Sequence, residues 1–262
     1  MLLTIEQLTI EFYDHLLPER VVEDVSFSLE EGEILGIVGE SGSGKSMTAL
    51  AVAGLLSRKD MKKTGRILFD GEDLLSMRRS DLRKLQGNEI SMIFQEPMTA
   101  LNPTMRIGKQ VEEALRIHFN MTKEEQKRAT LEWLDKVELE DVERVYDSYP
   151  HELSGGMRQR VMIAAAMVSG PRLLIADEPT TALDVTVQAQ IIQLLKKINQ
   201  KDHTAIMFIS HDLSLVRQLC HRVIVMKDGR IVEEGECDAI FETPQEDYTK
   251  RLIAAIPRIP VS

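Results

Sequence analysis

Apolar and polar residues alternate through residues 2–12 and again through 21–29, the period-two pattern of strands with one buried face. Residues 33–38 form a short, almost unbroken apolar run, suited to a strand covered on both faces. It enters a glycine-rich turn, after which residues 46–56 show helical spacing. Residues 64–69 and 89–94 predict two further strands. From Pro97 to Tyr149 the period changes: Val111, Ala114, Leu115 and His118 share one helical face, and residues 129–137 supply another. Surface charge fills the intervals, with no strand pattern between. After Ser154 a helix reaching Val168 leads to an apolar strand at 173–176. A helix at 187–198, a strand at 205–209, a helix to Leu219 and a strand at 223–226 follow. Strands alternating with helices predict an α/β fold on a largely parallel sheet, interrupted by a helical insertion.

Composition narrows the classes. The 262 residues suit one large domain or a core carrying an inserted subdomain. Hydrophobic residues at 43% and charged residues at 28% exclude wholesale disorder. Acidic residues outnumber basic ones, 42 to 32, and the resulting charge of −10 argues against a nucleic-acid coat. Cys220 and Cys237 are too few for a disulfide framework and read as thiols of a reducing compartment. The start MLLTIEQLTI carries Glu6 and no basic flank, unlike a signal peptide. The most apolar stretch, 161–176, is broken by Ser169, Gly170, Pro171 and Arg172, short of the roughly 18 apolar residues of a membrane span. The expectation is a cytoplasmic protein that reaches a membrane only through a partner.

The chemistry concentrates in a few strings. Gly39-Glu-Ser-Gly-Ser-Gly-Lys45-Ser46 matches G-x-x-x-x-G-K-[ST] between a predicted strand and a predicted helix. Gly39, Gly42 and Gly44 let the backbone turn tightly and present N–H groups to phosphate oxygens at a helix N-terminus. Lys45 can reach the β- and γ-phosphates, and the Ser46 hydroxyl can ligate Mg²⁺. Four such positions arise by chance in about 1% of chains of this length, and the rival reading is a glycine-rich turn with a surface lysine. Downstream, residues 173–176 end in Asp177 and Glu178, which point to opposite faces of the strand. Asp177 suits the Mg²⁺ that Ser46 holds, and Glu178 is placed to orient and deprotonate an attacking water. Alone, such a strand end reads as a cap or a solvated turn; the P-loop gives it its task. Ser154-Gly155-Gly156 opens a helix bearing Arg158 and Arg160, which is either an N-cap or a second anion site. Two phosphate-binding devices in one subunit make sense if each completes the other's site across a head-to-tail dimer.

In their order, Gly39 to Ser46, Gln95, Leu153-Ser-Gly-Gly-Met157, Leu173 to Glu178, Thr181-Ala-Leu-Asp184 and Ser210-His211-Asp212 resemble the motifs of ATP-binding cassette (ABC) ATPases over essentially the whole chain. The resemblance implies an ABC-type P-loop domain with an N-terminal antiparallel β subdomain and an inserted α-helical subdomain. The core would comprise 1–96 and 154–240, the helical subdomain 97–153, and a short tail 241–262. ATP contacts would come from Phe12, which stacks on adenine (Tyr13 being the alternative), and from Gly39, Ser41, Gly42, Ser43, Gly44, Lys45, Ser46 and Met47. Mg²⁺ would be held by Ser46, Gln95 and Asp177. Gln95 is implied to sense Mg²⁺ and the γ-phosphate, and Glu178 and the switch histidine His211 to complete the catalytic set. Ser154, Gly155, Gly156 and Asp184 would reach the partner subunit's nucleotide. The other histidines, His15, His118, His151, His203 and His221, show no metal-ligand spacing.

A finer resemblance, in Phe94-Gln-Glu-Pro-Met-Thr-Ala-Leu-Asn-Pro103, in residues 149–160 with Met157, and in 177–185, points to the dipeptide, oligopeptide and nickel importer ATPases. It implies an energy-coupling subunit at the cytoplasmic face of the membrane. A second, related ATPase, two permease subunits and, indirectly, an external solute-binding protein would be its partners, with no nucleic acid. The loop at 96–107 would face the permease. Longer members carry a cysteine-bearing extension that can hold an iron–sulfur cluster; with two cysteines, none is expected here. Rival readings are a non-transport ABC ATPase of the DNA-repair or translation type, an importer of another small solute, and a GTPase or kinase. The last lacks support, because Asn199-Gln-Lys-Asp202 has the wrong order for a guanine motif.

Overall fold

The computed structural model describes residues 1–13, 18–58, 60–95, 100–181 and 183–256. Residues 96–99 of the expected permease-facing loop, Ala182 and the tail 257–262 lie outside the described residues. The chain forms two compact units, residues 1–77 with 205–262, and residues 78–204.

The first unit contains β1 (Leu3–Phe12), β2 (Glu19–Leu29), β3 (Ile34–Val38), α1 (Lys45–Val52), β4 (Met61–Phe69) and β5 (Glu72–Asp73). It resumes with β8 (Ala205–Ile209), α8 (Leu213–Leu219), β9 (Arg222–Lys227), β10 (Arg230–Glu236), α9 (Cys237–Glu242) and α10 (Asp247–Ala254). One antiparallel sheet runs β2–β1–β4–β5, with Leu3 opposite both Leu29 and Phe69. Its apolar alternation slips once, since Leu3, Ile5, Leu8 and Ile10 are all buried. Gln7 absorbs the slip as a bulge at φ 50°, and the register shifts there against both neighbours. A bulge thus keeps every apolar side chain inside where strict alternation would expose half of them.

In the same unit β3 lies between β8 and β9, parallel to both, and β10 pairs antiparallel with β9. All five residues of β3 and of β8 are buried, which is why both read as continuous apolar runs. Arg222 ties the strand starts together: its Nε donates to Glu33 at 2.8 Å, and its guanidinium also donates to Ser28 O and Glu234. Beyond Met226, where the sequence pattern predicts nothing further, the structure continues with β10, α9 and α10. The polar string of β10 leaves every residue at least partly exposed, so it carries no core signature.

The second unit contains α2 (Arg79–Leu85), β6 (Ile90–Ile93), α3 (Ile107–His118), α4 (Lys123–Lys136), α5 (Val142–Asp147), α6 (Gly155–Met167), β7 (Leu173–Asp177) and α7 (Val185–Asp202). β6 and β7 pair in parallel, Ile90 with Leu173 through Ile93 with Ala176. A capping box between Thr122 and Glu125 starts α4. The buried face of α3 is Ile107, Val111, Glu112 and Leu115, whereas Ala114 and His118 are only half-buried. The expected stripe is rotated because Glu112 is paid in hydrogen bonds, accepting from the Tyr146 hydroxyl and from Lys109 at 2.8 Å. Tyr146 in turn packs against Gly108, where a Cβ would sit 2.3 Å from its ring.

Candidate functional site

In the first unit β3 delivers the chain into the P-loop. Gly44, at φ 98°, is the N-cap of α1 and has no side chain with which to cap it. Bulk is excluded from the base of the loop: a Cβ on Gly39 would stand 2.2 Å from Met226 O, and one on Gly44 2.7 Å from Val21 O. At the crest, Ser41 and Gly42 are exposed, and a Cβ on Gly42 would meet nothing within 4 Å. A helix N-terminus behind an exposed glycine-rich crest fits a phosphate chain. Lys45 is 5% exposed and curls back over the loop, its Nζ donating to Gly39 O and Glu40 O at 2.8 Å and to Ser43 Oγ at 3.3 Å. Burial without such acceptors would neutralise the ammonium. Ser46 and Met47 are half-buried in the first turn of α1.

Two other expected residues belong to this unit. His211 is exposed directly after β8, and Ser210 N donates to Ile37 O at 3.3 Å, which places it beside the strand that feeds the P-loop. Asp212 then caps α8 through Ser214 N at 2.8 Å, fixing the backbone on the far side of His211. Phe12, half-buried at the end of β1, carries the Arg58 guanidinium 5.0 Å from its ring centroid. Tyr13 is 47% exposed, and its hydroxyl donates to Glu11 at 2.7 Å.

In the second unit β7 ends in the paired acids. Asp177 is 6% exposed and finishes the buried strand. Glu178 departs from it at φ 47°, a left-handed turn that sends its side chain off the strand line. One carboxylate oxygen, Oε2, accepts from Gln95 Nε2 at 3.0 Å and from Thr181 Oγ1 at 2.9 Å. The structure therefore brings Gln95 to Glu178 across 83 residues of sequence. Thr181, which the sequence motif 181–184 includes without a role, helps hold the carboxylate. A hydroxyl three residues past an acid at a turn is the signal that could have found it.

The same unit brings Ser154, Gly155, Gly156 and Asp184 together. Ser154 caps α6 by accepting from Met157 N at 3.3 Å, and Asp184 caps α7 by accepting from Val187 N at 3.0 Å. A Cβ on Gly156 would lie 3.0 Å from Val187 Cγ1, so the two helix starts approach as closely as glycine allows. Arg160 fixes that pairing from α6, donating to Val137 O at 2.6 Å and to Gln190 of α7 at 3.2 Å. Val185, just past Asp184, is 79% exposed.

A glycine-rich phosphate loop after a buried parallel strand of one unit and a positioned carboxylate after a buried parallel strand of the other are the parts of a P-loop ATPase. The sequence profile of the ABC transporter family matches residues 22–181. The chain belongs to that family. It is 46% identical over 256 residues to the dipeptide transport ATP-binding protein DppD of Escherichia coli K12, covering 98% of this chain and 78% of that one. It is 47% identical over 259 residues to the oligopeptide transport ATP-binding protein OppD of Bacillus subtilis 168, covering 98% and 72%. Among solved structures, the ATP-binding cassette MJ0796 in a dimeric post-hydrolysis state with ADP and Pi aligns at a TM-score of 0.80. That match is 30% identical and covers 90% of this chain and 98% of the other. The fold and the ATP-hydrolysing class expected from the sequence are thus both found. Among the described residues no helix is long and apolar enough to cross a membrane.

Proposed function

We propose that the chain is the energy-coupling ATPase of a membrane importer for peptides, held at the cytoplasmic face by two permease subunits and paired with a second, related ATPase. The resemblance to peptide-transport ATP-binding subunits along 98% of the chain supports this reading of cargo and partners. The observation that carries the chemistry is the Glu178 carboxylate, whose Oε2 accepts from both Gln95 and Thr181 and is so fixed in place at the end of β7. Lys45 and the loop 39–46 take the phosphates, and Phe12 takes the adenine. His211 contacts the γ-phosphate. Ser154, Gly155, Gly156 and Asp184 close over the nucleotide of the opposing subunit, and residues 97–153 serve as the helical subdomain facing the permeases.

Ser46, Gln95 and Asp177 offer a hydroxyl, an amide and a buried carboxylate, the hard oxygen donors that suit Mg²⁺. When bound, Mg²⁺ neutralises charge on the β- and γ-phosphate oxygens. The work of the protein is then positional: Lys45 supplies a fixed positive charge, Glu178 receives the proton of the attacking water, and Gln95 keeps that carboxylate aimed. The test is a pull-down of the tagged chain from its own membranes in mild detergent. Two permeases and a second ATPase are the expected companions, and the associated binding protein is then screened against peptides and Ni²⁺. Recovery of soluble or nucleic-acid-bound partners alone would overturn the transport reading while leaving the ATPase chemistry standing.

A further inference from the structure

We propose that Tyr248 is a positioning residue for the P-loop, through which the C-terminal helix α10 sets the affinity of the loop for a nucleoside triphosphate. The inference rests on the reading of residues 39–46 as an ATP site. Its basis is one peptide unit. The N–H of Glu40 donates to the Tyr248 phenol oxygen at 3.1 Å, and the carbonyl of the same peptide, Gly39 O, accepts from Lys45 Nζ at 2.8 Å. The Gly39–Glu40 peptide is therefore held at both ends, by α10 and by the phosphate-binding lysine. Gly39 has no Cβ and a φ of 150°, so little else resists rotation of that plane.

The hydroxyl is delivered by a built support. Tyr248 is 7% exposed, with Lys227 Nζ 5.4 Å from its ring centroid. The start of α10 is tied to β10, because Glu233 accepts from Gln245 N at 2.7 Å and Glu246 N at 3.1 Å. Lys250 adds a bond to Gln245 O at 2.7 Å. β10 is itself paired to β9, which lies beside β3, the strand that enters the P-loop. A phenol carried on this frame reaches the loop only while α10 is docked. Removing the hydroxyl frees the peptide to turn, and the ammonium of Lys45 loses a fixed resting acceptor. Tyr248 touches the loop and acts on phosphate through Lys45, so its effect belongs to binding rather than to the hydrolytic step.

Tyr248→Phe in the full chain keeps the ring and deletes the contact. Titration with a fluorescent mant-ATP should show Kd raised three- to tenfold, measured well below the melting temperatures of both proteins, where each is folded. Hydrogen–deuterium exchange without nucleotide should quicken in the peptide spanning residues 39–45 and stay unchanged in β8 and β9. An unaltered Kd beside a normally binding parent overturns the inference, as does unaltered exchange at the loop. If the parent itself does not bind mant-ATP, the ATPase reading fails, and the exchange comparison alone decides whether Tyr248 positions the loop.

Discussion

Glu178 combines two properties that separate holding from hydrolysing. Its backbone turns left-handed, at φ 47°, where β7 ends, and the donors Gln95 and Thr181 converge on one oxygen of its carboxylate. Glu178→Gln keeps shape and acceptor but cannot take a proton, so phosphate release should fall by about 10²–10⁴-fold. Mant-ATP affinity should stay within twofold of the parent; hydrolysis at the parent rate would remove Glu178 from the base role. Thr181→Val deletes the hydroxyl donor to Glu178 Oε2, and a smaller loss, about three- to tenfold in kcat with KM unchanged, is expected of a residue that only aims the base. Lys45→Ala acts on the other half of the problem. Losing a charge-assisted contact of about 1.5–3 kcal/mol corresponds to a Kd for ATP raised about 10–100-fold. A calorimetric titration showing unchanged affinity would contradict the phosphate role given to this buried lysine.

The start of α10 is held by one carboxylate, and that makes its docking sensitive to acid. Burial pushes the Glu233 carboxyl upward, but the Gln245 N–H, the Thr249 hydroxyl, the Glu246 N–H and the Lys250 charge together outweigh it and leave the pKa below the ordinary 4.5. A depressed carboxylate contributes stability that is present in full above the unfolded pKa and lost as pH falls through the folded one. The melting temperature of Glu233→Ala should therefore lie below that of the parent at pH 6, and the gap should narrow under pH 4.5. A gap independent of pH would mean that the carboxylate charge plays no part in docking α10. These same elements show where the sequence stops being readable. β3 and the P-loop are legible because burial on both faces forces an apolar run and phosphate binding forces glycine. β10 is held by β9 and by charged side chains of both signs, an arrangement with no periodic signature. In α3 the buried Glu112 displaces the expected stripe, because its satisfaction depends on Tyr146, 34 residues away. Partners so distant in sequence leave no mark on the local pattern, and for the same reason neither the Gln95–Glu178 bond nor the Tyr248–Glu40 bond could be foreseen.

At the scale of the whole molecule, the P-loop lies in one unit and the helix starts at Ser154 and Asp184 in the other, and those helix starts have a local duty of their own. Ser154 and Asp184 already serve as helix caps within their own unit, which accounts for their residue types without any partner. What capping alone does not require is two helix starts packed against each other through Gly156 and Val187, with exposed Val185 beside them. A surface of that kind suits a subunit that closes over a second nucleotide. Ser154→Arg should then spare ATP binding at its own P-loop, with mant-ATP affinity within twofold, and depress hydrolysis in the assembled transporter by tenfold or more. Because the arginine also removes a cap, at a cost of about 0.5–2 kcal/mol, Ser154→Ala is the matched control. It loses the cap without introducing bulk or charge at the interface, so the difference between the two variants isolates the contact made across the dimer. Equal loss of binding and hydrolysis in Ser154→Arg, or equal behaviour of the arginine and alanine variants, would confine Ser154 to its own helix.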